Sequence, residues 1–232
     1  MNMLKNRTGI LALIVLAGLV IAIVGIGAVT RRPMKSGLGH NTATRSTQDT
    51  RTLKEKAQQT GSFRETQVPK SDVVYADLAD LVNHSTMVII GTAEKNTPTL
   101  SSDGKSISLD YSVRAEYIYK GKLKAGSLIT VSLPGGRVRF DDGSVAEVMT
   151  PWFKKMQNGK TYALFLRSGA ANGQFVTTGE AQGVFEIPTT QDDRVVKVHS
   201  GLPANVIRKY QGQDVKIFLA ELRRVTGKPL KS

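Results

Sequence analysis

Residues 107–119 read ISLDYSVRAEYIY. Ile107, Leu109, Tyr111, Val113, Ala115, Tyr117 and Tyr119 alternate with Ser108, Asp110, Ser112, Arg114, Glu116 and Ile118. A period of two puts the first set on one side of a β-strand and the second on the other, so one face is buried and the other mostly wet. Thirteen residues are long for a flat sheet. Strands of this length occur in small barrels, where a bulge or bend lets one strand serve two sides.

The neighbours of this strand are also extended. Thr86–Glu94 (TMVIIGTAE) reads as a buried strand, rich in β-branched and apolar residues. Asn96-Thr97-Pro98 and Ser102-Asp103-Gly104 carry turn chemistry. Lys120–Gly126 is a turn, Ser127–Leu133 a strand, and Pro134-Gly135-Gly136 breaks it. Arg137–Phe140 and Val145–Met149 flank Asp141-Asp142-Gly143 and read as a hairpin. Thr161–Arg167 (TYALFLR), Gln174–Thr178, Gly183–Ile187 and a short Val195–Val198 complete the set. Helices are expected at the borders. Ser71 or Asp72 can cap one over residues 73–85, and Leu202–Tyr210 can form another. Asp214 can cap a third, with Val215, Phe218, Leu219, Leu222 and Val225 at helical spacing and Gly227 and Pro229 as its stop. The expected class is mainly β, a small barrel or sandwich with flanking helices.

Upstream the chain changes character. Gly9–Val29 (GILALIVLAGLVIAIVGIGAV) holds 21 residues and no charge. At about 1.5 Å per residue such a helix spans roughly 30 Å, the thickness of a bilayer's hydrocarbon core. The reading is one transmembrane helix over 9–30, behind a short basic N-terminus at 1–8. A cleaved signal peptide competes with it, but the run exceeds an ordinary h-region, and Ala28-Val29-Thr30 before Arg31-Arg32-Pro33 is a poor cleavage site. The flanking charges oppose each other. Arg31, Arg32, Lys35 and Arg45 favour a cytoplasmic C-terminal part, whereas a short anchor behind Lys5 and Arg7 sends the following domain outward. The outward orientation is the expectation.

The net charge of +13 is uneven, with +8 in residues 1–70. Residues 31–70 hold nine Lys/Arg against three Asp/Glu and few large apolar side chains. They read as a basic polar tether, disordered apart from a short helix near Arg51–Gln59, that spaces the domain or contacts anionic lipid or a wall polymer. The β-barrel domain is then expected over 71–200 and a helical segment packed on it over 201–232.

The elements DLADLVNHSTMVIIGTAEK, DYSVRAEYIYKGKLKAG, ITVSLPGG and PWFKKMQNGKTYALFL occur in a suggestive order. From about Asp77 to Ile187 the chain resembles uncharacterised bacterial exported and membrane-anchored domains with an OB-fold-type barrel of the tissue-inhibitor-of-metalloproteinase and netrin kind. The resemblance implies an OB-like barrel. Its signals are turn glycines (Gly91, Gly121, Gly135, Gly136, Gly159) and core residues (Tyr162, Leu164, Phe165), which carry no chemistry. The animal relatives rely on disulfides, and this chain has no cysteine. Their inhibitory activity therefore does not carry over.

Catalytic signals are sparse. Zero cysteines remove thiol nucleophiles and zinc–thiolate sites. The three histidines, His40, His84 and His199, are scattered, and no nucleophile-elbow sequence accompanies them. Asp141-Asp142-Gly143-Ser144 lacks the calcium-loop spacing and reads as a hairpin turn. No catalytic residue, metal ligand or cofactor site is therefore assigned. A polyanion contact could use Lys120, Lys122 and Lys124 with Arg137 and Arg139, which also fit as turn and edge charges that block sheet aggregation. The expected function is a membrane-anchored, extracytoplasmic, non-enzymatic binding or assembly module, bilayer-bound through 9–30, with no protein partner named. A cytoplasm-facing OB-type module for nucleic acid or another polyanion is one alternative, with nucleic acid the weaker ligand outside the cell. An envelope hydrolase with an unrecognised site is the other.

Overall fold

The strands run β1 (Ser62–Thr66), β2 (Met87–Leu100), β3 (Ile107–Lys120), β4 (Leu128–Pro134), β5 (Gly136–Arg139), β6 (Val145–Met149), β7 (Thr161–Ser168), β8 (Gln174–Thr177), β9 (Val184–Glu186) and β10 (Lys197–Val198). The helices are α1 (Leu53–Thr60), α2 (Leu78–Asn83) and α3 (Val215–Thr226). A 3₁₀ turn covers Glu180–Gly183. The computed structural model describes residues 49–68, 73–170, 173–188, 195–199 and 209–228. The expected membrane helix over 9–30, the first part of the tether and the helix expected from Leu202 lie outside these residues, except for the end of the latter at Lys209–Tyr210. No described helix is long and apolar enough to cross a membrane.

The protein is mainly β, with two sheets and flanking helices. The larger sheet has the order β10-β9-β7-β2-β3-β4-β8, and the smaller one β1-β6-β5. In the larger sheet β8 pairs parallel with β4 and antiparallel with β7. Two long strands, β2 and β3, form its centre. Their antiparallel register slips at three places, one between Ile90 and Gly91.

That slip changes the side-chain pattern of β3. Leu109, Tyr111, Val113 and Ala115 enter one core together with Ile129, Val131, Tyr162, Leu164 and Trp152. Ile90 then pairs with Tyr117 and Gly91 with Ala115, leaving Glu116 as the extra residue of a bulge. Beyond it Ile118 packs on the first core, while Tyr117 and Tyr119 pack on a second. The uniform alternation expected through Tyr119 is therefore correct only as far as Ala115. Gly91 is required there, since a Cβ would sit 2.7 Å from the Arg114 carbonyl oxygen.

The second core lies between the larger sheet and α2 and α3. It holds Leu78, Leu81, Val88, Ala163, Phe165, Phe185, Phe218 and Leu222. Asp214 caps α3 through the Lys216 amide (2.8 Å), and Gly227 ends it at φ 66°. The Tyr210 hydroxyl donates to Glu221 (2.9 Å) and accepts from the Leu78 amide (3.3 Å), which ties the two helices together. The C-terminal helix thus belongs to the β domain's core.

Three further expectations are corrected. Asn96-Thr97-Pro98 is no turn: β2 continues to Leu100. Met87–Thr92 also pairs with β7, but the outer side of Lys95–Leu100 has no ladder among the described strands. Pro98 can sit in a strand there because no donor is needed on a free edge. The helix after residue 72 is shorter than expected and is capped by Asp77, whose carboxylate accepts from the Asp80 amide (2.9 Å). Most important, residues 49–68 of the expected tether are folded. Thr52 and Glu55 form a capping box at the start of α1. Leu53 and Ala57 bury against Ile107, Ala146 and Val148, and β1 pairs parallel with β6. Sparse apolar residues sufficed because the small sheet gives them a face to cover. We predict that Leu53→Ala lowers the unfolding free energy by about 2–5 kcal/mol in a single cooperative transition. An unchanged urea midpoint would show that α1 stands outside the fold.

Candidate functional site

A groove of about 480 Å³ opens where β3 begins and β4 and β8 end. Ile107 and Ser108, then Ser132, Leu133 and Pro134, then Val176 and Thr177 line it in strand order. Ser106, Arg167 of β7, Glu180, Gly179, Gln67, Val73 and Tyr75 complete the lining. Its polar lining is thus mostly neutral, with one arginine and one glutamate.

The hydroxyls on its floor are held in place. Asp110 stands directly opposite Ser132 in the β3–β4 ladder. The Ser132 hydroxyl donates to Asp110, as does that of Ser108 (3.2 Å), and Thr99 donates to its other oxygen (2.8 Å). Gln174 of β8 donates to the Ser132 oxygen. A serine oxygen has one proton to give and two lone pairs to receive. With the protons of Ser108 and Ser132 committed to Asp110, what these side chains offer a visitor is acceptor capacity.

The other wall is built around Gln182. Its side-chain oxygen accepts from the Tyr75 amide (3.1 Å), and its nitrogen donates to the Val73 carbonyl (2.8 Å). Gly179, at φ 63°, lets the Tyr75 ring lie against the backbone, where a Cβ would come within 2.4 Å of the ring. Glu180 follows at φ 55°, the one non-glycine residue with positive φ among the described residues. A glutamate held in this region is strained by about 1–3 kcal/mol, a feature that concentrates at binding sites.

The described histidines lie elsewhere. His84 caps the end of α2 and is exposed, beside Asp80 (3.1 Å). His199 is buried in the core. Its Nδ1 lies 2.6 Å from the Lys154 carbonyl, its Nε2 3.3 Å from Glu186, and the Tyr162 ring meets it edge-on. Burial holds the imidazole below its usual pKa of 6.5, against the opposing pull of the Lys154 carbonyl and Glu186. Burial also pushes the Tyr111 and Tyr162 phenols up to about 12, as expected of neutral core residues. Asp141 and Asp142 sit in the β5–β6 turn. Asp142 accepts from Ser144 Oγ (2.6 Å), Gln58 (2.6 Å) and the Ser144 amide (3.0 Å), which lowers its pKa to about 2.

The basic residues singled out from the sequence do not come together. Lys120 ends β3, and its ammonium donates to the Val82 carbonyl (2.7 Å). Lys122 and Lys124 follow in the exposed β3–β4 loop. Arg137 and Arg139 lie on β5, whose neighbour Gly135 bonds to Ile107 at the opposite end of β3 (2.9 Å). About 40 Å of strand contour separates the two groups. In place of one patch, Arg137 shares a second cleft, of about 420 Å³, with Arg64 and Glu147. Neither Asp110 nor Arg64 was singled out from the sequence. A Ser-x-Asp pair on the wet face of the clearest strand was the available signal for Asp110, whereas Arg64 was hidden in the expected tether.

No protein-family model matches the chain, and no curated protein matches it.

His199 gives a prediction with a definite sign. A folded-state pKa below the unfolded one means that the contribution of neutral His199 is complete above about pH 6.5 and is lost as pH falls towards the folded value. Urea midpoints should therefore fall between pH 7.5 and 5, and His199→Gln should flatten that slope. An equal slope in both proteins would remove His199 from the account.

Proposed function

We propose that this protein is a membrane-anchored, extracytoplasmic, non-enzymatic binding module built on an OB-type barrel, with the groove beside Asp110 as its ligand site. The barrel reading is supported by the pairings: β7-β2-β3-β4-β8 are neighbours in order, and β8 also meets β7. A parallel β4–β8 pair within an otherwise antiparallel circuit, with a bulged, two-sided β3, fits a five-stranded Greek-key barrel. It agrees with the resemblance in the glycine and core signals between Asp77 and Ile187. The anchor rests on the uncharged run Gly9–Val29, and the outward orientation on Lys5 and Arg7 before it.

One observation carries the binding reading: Asp110 pins Ser108 and Ser132 with acceptor lone pairs left along a groove whose lining mixes apolar side chains with mostly neutral polar ones. Pockets of a few hundred Å³ with a few fixed polar groups are the usual form of ligand sites. The ligand class that fits is neutral and rich in N–H or O–H donors. A non-enzymatic role is supported by the place of His199, which does not line the groove and whose ring is enclosed by Lys154, Glu186 and Tyr162.

Two measurements test this. Protease added to intact cells should digest the domain and leave a membrane-bound N-terminal fragment; protection until lysis would place the domain inside and favour the cytoplasmic reading. In ligand-observed NMR with neutral polyols and amides, Val176→Trp, which fills the groove, should abolish the binding that the parent chain shows. Binding unaffected by that substitution, or none at all, would rule out the groove.

A further inference from the structure

The small sheet carries a second site of opposite character. Arg64 of β1, Glu147 of β6 and Arg137 of β5 form one row, because Glu147 is the register partner of both arginines. Opposite charges facing each other across strands normally pair. Glu147 pairs on one side alone: Arg64 Nε and Nη2 both donate to its Oε2 at 2.9 Å. Arg137 has no carboxylate partner among the described residues, and neither has Arg139, two residues on along the same face of β5.

The row therefore leaves an unused guanidinium fork over an open cleft. Arg64 and Arg137 flank β6, so their backbones lie about 10 Å apart, two interstrand spacings. Ser62, Phe63 and Val145 line the cleft between them. Counting Arg139, this face carries three arginines and one glutamate. A planar fork of five donors suits an oxyanion better than any neutral ligand, and phosphate can accept from two such forks at once.

We propose that the cleft between Arg64 and Arg137 is a binding site for a phosphate group, held by the Arg137 fork with Arg64 and Arg139 in support. Glu147 fixes the position of Arg64, and the phosphate supplies the counter-charge that Arg137 and Arg139 lack. The site shares no described lining residue with the groove beside Asp110 and stands whether or not that groove binds anything.

The test is phenylglyoxal footprinting of arginines, read by peptide mass spectrometry on the full chain. One arm uses neutral detergent micelles with inorganic pyrophosphate, against sodium chloride at equal ionic strength. The other uses nanodiscs of phosphatidylglycerol against phosphatidylcholine. Arg64 and Arg137 should be protected, and Arg114 and Arg167 should not. Protection by pyrophosphate alone identifies a soluble phosphate compound as the source; protection in phosphatidylglycerol identifies a lipid headgroup. By calorimetry, Arg137→Gln should weaken pyrophosphate binding about tenfold, the equivalent of one charge-assisted hydrogen bond, while Lys122→Gln leaves it unchanged. The proposal falls if neither phosphate source protects these arginines, if all four arginines are protected alike, or if the two substitutions act equally.

Discussion

Tyr162, Leu164 and Leu166 point to one side of β7, Ala163 and Phe165 to the other, and all five are shut away from water. A strand without a wet face must be covered twice. The first cover is the core enclosed by β2, β3 and β4, with Trp152, Phe153 and Met156 filling it. The second is the pair α2 and α3, held by Tyr210, which touches both. The arrangement around the larger sheet follows from this double burial. The bulge at Glu116 lets β3 serve both cores, and the helices join the domain because Phe165 and Phe185 would otherwise face solvent.

This also explains what the sequence revealed. TYALFL announced a buried strand, and the alternation from Ile107 to Ala115 announced its neighbour, because burial imprints directly on residue type. The bulge left no such imprint: Glu116 is an ordinary exposed residue, and only the register with β2 displaces it. Asn96-Thr97-Pro98 has the local chemistry of a turn, yet the ladder with Tyr111, Asp110 and Leu109 overrides it on an edge that needs no donor. Residues 49–68 misled for another reason. Composition measures how much apolar surface a segment owns, whereas Leu53, Ala57 and Phe63 gain theirs from Ile107, Ala146 and Val148, which are distant in sequence.

The two candidate sites show the same divide. Lys120, Lys122 and Lys124 were conspicuous in sequence because they are close together along the chain, but the fold sets them apart from Arg137 and Arg139. Asp110, Ser132 and Gln174 come from three strands, and Arg64, Glu147 and Arg137 from three others, so neither set forms a cluster in sequence. The first set commits its carboxylate to local hydroxyls and fixes the direction of their lone pairs. The second commits its carboxylate to one arginine and leaves positive charge in excess. In each case the acid is placed by strand register, and the character of the site depends on which groups it holds.

The parallel pairing of β1 with β6 has a consequence in time. Arg64 and Glu147 are 83 residues apart in the chain. At synthesis rates of about 5–20 residues per second, β1 emerges roughly 4–16 s before its partner exists. Contacts of such sequence separation also close late, after the loop entropy has been overcome by other pairings. For that interval α1 and β1 have no surface to cover, so the stretch nearest the apolar N-terminal run waits on strands made later in the chain. A nascent chain would carry this segment as an open strand edge, with Arg64 and Lys56 as the charges that discourage premature partners.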